Sequence, residues 1–450
     1  MVSALSFACG ESGQDSASGS ESESESESES DTDGETEGDT EGDDFEIVRS
    51  DVPRDLAPNP SDAERTSDRD GASRFTMQLF DAVTTGPDAN VVFSPHSIRT
   101  AFGQVHLGTN GVVKSEIETV LGFDAGDRTH AVLNAVDLEL SARNFAGESD
   151  ADGGELPPIE LSVANSLFSD HSFAERVNAD FLDALAANYD AGIRIVPFDT
   201  DLELARQRLN GWVAGQTHDK IPELIKAFPS AVELVVVNAL YFKASWETPF
   251  EDELTSPAAF QTLAGTSVQV DTMHAYTLSA DYAESESEWQ AIALPYSDPR
   301  LQMVVIVPAN HVAFEDGFDG EQLDAIFDEL APSTIDLSLP KFQVRSPFSL
   351  KTALESLGMN APFSDVSGFS GIPTSSPIFD VIHETFIAVD EKGTEAAAAT
   401  AIIFGDGGGE EPVTEHVVDV DRTFYLAIRD RGANALLFFG RIGDPSKTAQ

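Results

Sequence analysis

The chain has 450 residues, 41% of them hydrophobic, and 79 Asp and Glu against 26 Lys and Arg give it a net charge of −53. That length holds one large domain or two to three smaller ones, with room for a sizeable core. A charge of this sign repels phosphates, which excludes nucleic acid and anionic membrane surfaces as partners.

Residues 1–9 are a short apolar run, Met1 to Ala8, ending at Cys9, the only cysteine. One cysteine allows no intramolecular disulfide. An apolar run, a small residue, a Cys and then a polar stretch resemble the end of a bacterial lipoprotein signal. On that resemblance Cys9 is a lipidation site and the chain sits outside a bacterial cell or on its outer surface. Residues 10–60 are dominated by Ser, Glu, Asp, Gly and Thr, including the repeat Glu21-Ser22 through Glu29-Ser30, and residues 1–70 hold 22 acids against 4 Arg. Such a segment buries too little apolar area to offset its ordering entropy, and its charges repel one another. It reads as a disordered, extended tether.

The pattern changes near Ser61, and residues 61–450 read as one domain. Phe75, Leu79 and Phe80 fall at helical spacing within 63–83. Asn90 to Phe93 is a short apolar strand, and Ser97 is placed to cap a helix carrying Ile98, Ala101, Phe102 and Val105. A short helix is expected at 116–121, a loop at 141–158 and a strand at 159–168. Helices follow at 178–188 and 201–218, the second capped by Asp199 or Thr200. Leu234 to Phe242 is almost wholly apolar, as in a strand buried on both faces, and its one polar member, Asn238, must find partners inside. Strands are expected at 291–295, 301–307, 335–340, 379–388, 416–420, 424–429 and 435–442, with a helix at 349–357. Helices early and strands late indicate an α+β fold with mainly antiparallel sheet.

The segment Gly393-Thr394-Glu395-Ala396-Ala397-Ala398-Ala399-Thr400-Ala401 is made of small residues. Ala favours a helix, yet small side chains would also let the segment enter a crowded sheet as a strand. The acidic, Gly-rich run Gly405 to Glu411 follows. Enzymatic signatures are lacking. The nine His are scattered without a His-x-x-x-His pair, so no metal site is expected, and Gly368-Phe369-Ser370-Gly371 falls one residue short of a nucleophile elbow. Gly405 to Gly409 lacks the Lys-Ser/Thr of a phosphate cradle. No enzyme and no cofactor are predicted.

Several stretches together carry a family resemblance. Asn90-Val91-Val92-Phe93-Ser94-Pro95-His96-Ser97-Ile98, Asn210-Gly211-Trp212-Val213 and Val237-Asn238-Ala239-Leu240-Tyr241-Phe242-Lys243-Ala244-Ser245-Trp246 come first. Leu294-Pro295-Tyr296, Leu339-Pro340-Lys341-Phe342, Leu357-Gly358-Met359, His383 to Ala401 and Phe424 to Asp430 follow in order. Across roughly residues 65–446 the chain resembles the serpin family. The resemblance implies three mainly antiparallel sheets, eight or nine helices and an exposed reactive-centre loop at about 391–416. It implies a suicide-substrate inhibitor: a protease forms an acyl-enzyme with the loop, which then inserts as a new central strand. About 15 residues at roughly 3.3 Å each would carry the protease on the order of 50 Å.

Residue roles follow from the same resemblance. Glu391, Lys341 and Trp246 resemble the point at the top of the large sheet where insertion begins. Ser94, Ser97, Asn238 and His383 resemble the polar cluster that lets its strands part. Gly393, Thr394, Ala396, Ala398 and Thr400, with Glu391, form the hinge, and in an inserted strand Thr394, Ala396, Ala398 and Thr400 face the core. Counting along the loop puts the reactive bond among Asp406, Gly407, Gly408, Gly409 and Glu410. No Lys or Arg lies between Lys392 and Arg422, which argues against a trypsin-like target. The expected partner is a serine or cysteine protease, the expected state a monomer, and the only membrane attachment a lipid on Cys9. The alternative is a non-inhibitory member of the fold used for binding or surface display.

Overall fold

A computed structural model describes residues 45–124, 126–149, 155–228, 232–378, 380–395 and 413–447. Cys9, most of the expected tether, Ala396, Ala398, Thr400 and the reactive-bond candidates Asp406 to Glu410 lie outside the described residues. By their contacts, residues from Gly42 onward form one unit.

In chain order, β1 (Ile47–Val48) precedes α1 (Asp62–Val83), β2 (Val91–Phe93), α2 (Pro95–His106), α3 (Gly111–Leu121) and α4 (Thr129–Ser141). The hairpin β3 (Glu148–Ser149) and β4 (Glu155–Leu156) leads to β5 (Glu160–Ser169), α5 (His171–Ala174), α6 (Ala179–Tyr189), β6 (Ile193–Ile195), α7 (Leu202–Gln216) and β7 (Leu234–Ser245). Then come β8 (Ser256–Gln261), β9 (Ser267–Ser285), β10 (Trp289–Pro295), β11 (Leu301–Pro308), α8 (His311–Glu315) and α9 (Gly320–Glu329). The chain continues as β12 (Ala331–Pro340), β13 (Phe342–Ser349), α10 (Lys351–Ser356), β14 (Val381–Asp390), β15 (Gly393–Thr394), β16 (His416–Asp419), β17 (Phe424–Asp430) and β18 (Ala435–Ile442).

One sheet runs β1-β6-β5-β7-β15-β14-β13 and the other β16-β12-β9-β10-β11-β17-β18-β2, with β8 on β9. The expected second and third sheets are therefore joined through one strand. Residues 267–282 of β9 serve β8 and β12, and residues 281–285 serve β10. Ten α-helices occur among the described residues, against the eight or nine expected.

Both faces of β7 are buried, as its apolar run requires. Val235, Val237 and Ala239 pack under α7 with Leu209 and Val213. Leu240 and Phe242 belong to the core between the sheets, with Val344, Ile387, Met303, Leu426 and Phe438. Ser94, not Ser97, caps α2: its Oγ accepts from the Ser97 N–H at 3.1 Å. Pro95 explains the shift, since proline suits the first helical position and leaves the residue before it as the cap. Likewise Asp201 caps α7, rather than Asp199 or Thr200.

The tether reading extends too far, because residues 45–60 pack on the domain. Ile47 and Val48 pair with Arg194 and Ile193, adding an edge strand to the large sheet. The Phe45 ring meets Phe168 edge-on at 5.6 Å. Arg54 reaches α4, its Nη2 2.5 Å from Asp137 and its Nε donating to Asn134 Oδ1 at 2.9 Å. Two apolar anchors and a part-buried ion pair offset the ordering entropy here, which the acidic repeat cannot do. Replacing Phe45 and Arg54 together by Ala should lower unfolding stability by about 2–4 kcal/mol, the worth of one large apolar side chain plus a part-buried ion pair. A denaturant midpoint unmoved in the double variant would show that the arm does not stabilise the sheet.

Candidate functional site

At the top of the large sheet, β7 and β14 are held apart by the start of the loop. Gly393 and Thr394 pair antiparallel with Ser245 and Ala244 on one side and with Asp390 and Val389 on the other. Glu395 adds a backbone bond, its N–H donating to Ala388 O at 2.8 Å. A Cβ at position 393 would lie 2.1 Å from the Ala244 carbonyl oxygen, so only glycine fits this approach. Thr394 points inward: it is buried and shares a 2.6 Å hydrogen bond with the Tyr296 hydroxyl. Glu395 turns to the opposite face of the sheet, where its largely covered side chain forms an ion pair with Lys220. These two side chains face opposite sides of the sheet, and the strand itself ends at Thr394, Glu395 having φ +51°.

The turn that feeds the hinge is pinned at several points. Lys341 Nζ donates to Glu391 Oε2 at 2.7 Å, and Thr255 Oγ1 to Glu391 Oε1 at 2.8 Å. Trp246 Nε1 donates to Asp390 O at 2.9 Å, its backbone N–H to Lys392 O, and its ring stacks on Tyr296 at 4.7 Å. Burial works to raise the Glu391 carboxyl, but the bonds from Lys341 and Thr255 outweigh it and hold the group below the usual carboxylate range. The structure brings Lys341, Trp246 and Glu391 together as expected. Thr255 and Tyr296 join them without a sequence signal beyond the Pro295-Tyr296 dipeptide.

Lower down, β7 and β14 pair directly and in parallel, Val236 to Leu240 against Val381 to Thr385. Here Asn165, Asn238 and His383 lie in register across β5, β7 and β14. His383 Nε2 accepts from the Ser94 backbone N–H at 3.0 Å, so its proton sits on Nδ1, which donates to Asn238 Oδ1. Asn238 Nδ2 donates to Ser97 Oγ and to Asn165 Oδ1, both at 2.5 Å. All four predicted residues meet, and Asn165 completes the cluster. An Asn facing inward from a largely apolar strand was the available signal for it. Thr385 Oγ1 donates to Val92 O at 2.7 Å, and the Val92 N–H to Ser346 Oγ at 3.2 Å, tying the two sheets together behind the cluster.

Residues 70–445 match the family model described as "Serpin (serine protease inhibitor)". The chain belongs to the serpin family. The leukocyte elastase inhibitor of Xenopus tropicalis is 31% identical over 389 residues, covering 83% of this chain and 98% of that protein. The human leukocyte elastase inhibitor is 29% identical with the same coverage. The crystal structure of tengpin, a thermophilic serpin in its native state, matches with a TM-score of 0.71 at 24% identity, covering 86% of this chain and 95% of that one. The serpin fold expected from sequence is thereby established, and members of this family act mostly as protease inhibitors rather than as catalysts.

The cluster around His383 makes stability pH-dependent. Burial pushes His383 down to about 3, and the buried His96 and part-buried His130 down to about 4 and about 3. Each folded-state value lies below the ordinary 6.5, so unfolding takes up protons in acid. The contribution of the neutral form is complete above pH 6.5 and is lost as pH falls toward 3. The thermal midpoint of the serpin should therefore drop steadily from pH 6.5 to pH 4. In H383Q it should start lower but fall less steeply. Equal slopes in calorimetry would mean that His383 carries no share of the effect.

Proposed function

We propose that this serpin is a suicide-substrate inhibitor of a serine protease without trypsin-like preference. The observation that carries the reading is the hinge: Gly393 and Thr394 already sit as an antiparallel strand between β7 and β14. Continuing that strand downward would place Ala396, Ala398 and Thr400 on the face that Thr394 occupies, and small side chains there meet no steric or charge barrier. The absence of Lys and Arg from 393–421, and the name of the elastase-inhibiting relatives, favour a protease that accepts small, apolar or acidic side chains. Cleavage is assigned to the run Asp406 to Glu410.

Incubation with a panel of elastase-, chymotrypsin- and glutamate-specific proteases should give an SDS-stable complex with at least one. Cleaved chain alone, with every protease, would replace this reading by a non-inhibitory serpin used for binding or display. Replacing Thr394 by Arg puts a charge where a buried hydroxyl meets Tyr296, at a cost of several kcal/mol. T394R should shift the product from complex to cleaved chain, read as a band ratio; an unchanged ratio would sink the assigned insertion route.

We extend the reading to location. The apolar run before Cys9 and the acidic stretch after it support a lipid-anchored chain on a bacterial surface. Fractionation should find the full chain with membranes and the C9S variant released from them.

A further inference from the structure

His106 closes α2 and His130 lies in the first turn of α4, 24 residues further on, so no short spacing in the sequence links them. The fold sets His106 Nδ1 3.0 Å from His130 Nε2. The outer nitrogens are held as well. His106 Nε2 lies 3.1 Å from Glu118 Oε1 on α3, and His130 Nδ1 lies 2.7 Å from the Tyr189 hydroxyl on α6. Four helices thus meet in one line of hydrogen bonds that neither the hinge nor the seam cluster uses.

The Glu118 carboxylate only accepts, so His106 Nε2 carries a proton and, in the neutral ring, Nδ1 offers a lone pair. His130 Nε2 donates to it, and His130 Nδ1 accepts from the Tyr189 hydroxyl. Moving the His130 proton to Nδ1 lets that nitrogen donate to the Tyr189 oxygen instead. Two lone pairs then face each other across the gap, and no proton is released. That is the arrangement of a metal site, in which each ligating imidazole turns one nitrogen inward and donates its other N–H to an oxygen. Two imidazoles at roughly 2.0–2.1 Å from a tetrahedral zinc stand about 3.3 Å apart. The observed gap of 3.0 Å therefore needs a pivot of the part-buried His130 ring by only about 0.3 Å.

We propose that His106 and His130 form a site for one divalent transition-metal ion that favours nitrogen ligands, such as zinc or copper. Among the described residues no group of three His, Cys, Asp or Glu is placed to hold an ion, so water completes the coordination. Imidazole suits zinc, copper and nickel, whereas magnesium and calcium take oxygen ligands and gain nothing from the pair. The way in lies beside α3, where the Glu118 side chain is 35% exposed. Lys114 Nζ stands 3.9 Å from the same carboxylate and offsets its charge, so affinity comes from ligation rather than from the local field. A bound ion ties α2 to α4, the helix whose Asp137 holds Arg54 of the N-terminal arm.

The test uses the full chain, untagged and stripped of metal with a chelator, in excess magnesium that occupies its many carboxylates. Zinc should raise the thermal midpoint and saturate at one ion per chain, because an ion that binds only the folded form stabilises it. Copper and nickel should bind as well, and manganese far more weakly. Cobalt should give the visible absorption of nitrogen ligation. H130Q should abolish the zinc shift. E118Q keeps both ligands but loses the charged partner of His106, and should weaken zinc by about tenfold. Should H130Q prove unfolded without metal, an NMR titration of the wild type decides, with the ring signals of His106 and His130 expected to move. No saturable shift, a shift that survives H130Q, or movement confined to other histidines would overturn the site.

Discussion

Everything in this serpin turns on the seam between β7 and β14. Along its lower half the two strands pair in parallel, and the His383–Asn238 hydrogen bond crosses it. Along its upper half they are parted by two residues of a third strand that runs antiparallel to both. The sheet is thus a zip stopped part-way. Opening it further exchanges one parallel ladder for two antiparallel ones, and antiparallel pairing is slightly the more stable per residue. In the proposed mechanism, that exchange sets the direction of change once the loop is cut.

What resists the exchange is local and polar. Asn165, Asn238, His383, Ser94 and Ser97 satisfy one another in a water-poor centre, so parting the strands leaves donors and acceptors exposed until new partners arrive. Two adjacent strands can separate at such a row without tearing an interlocked apolar layer. The hinge meets the opposite kind of constraint. It is anchored by Lys341, Thr255 and Trp246 to the turn at Glu391, and anchorage there fixes which residues enter the sheet next. In the proposed mechanism, the fit of Gly393 against Ala244 sets the register of insertion before any cleavage.

The strands β7, β11, β17 and β18 were legible because they are apolar runs bounded by turn residues. Helical spacing around Phe75 and Leu79 likewise marked α1 to within a residue. The long strand β9 and the helix α9 were missed. In β9 exposed polar residues interrupt the alternation, whereas α9 is only ten residues long and its helical spacing of Leu323, Ile326 and Phe327 rests on three positions. Asn238 announced that it needed buried partners, but nothing local could say that these lie on β5, β14 and α2, because partner identity is a property of topology. The same limit explains the arm at 45–60. Its residues look like tether continued, and only the exposed edge of β6 and the acid Asp137 on α4 give Ile47, Val48 and Arg54 something to hold.

Mechanism and selectivity occupy different parts of this chain, and they obey different chemistry. The hinge needs small uncharged side chains whatever the target, since its partner is always the chain's own sheet. The run Gly405 to Glu411 offers a protease pocket little beyond backbone and carboxylates. A loop tip so bare discriminates weakly between proteases on its own, because one missing side chain forfeits the contact on which pocket recognition depends. Selectivity then has to come from surface that stays in place while the loop is bound.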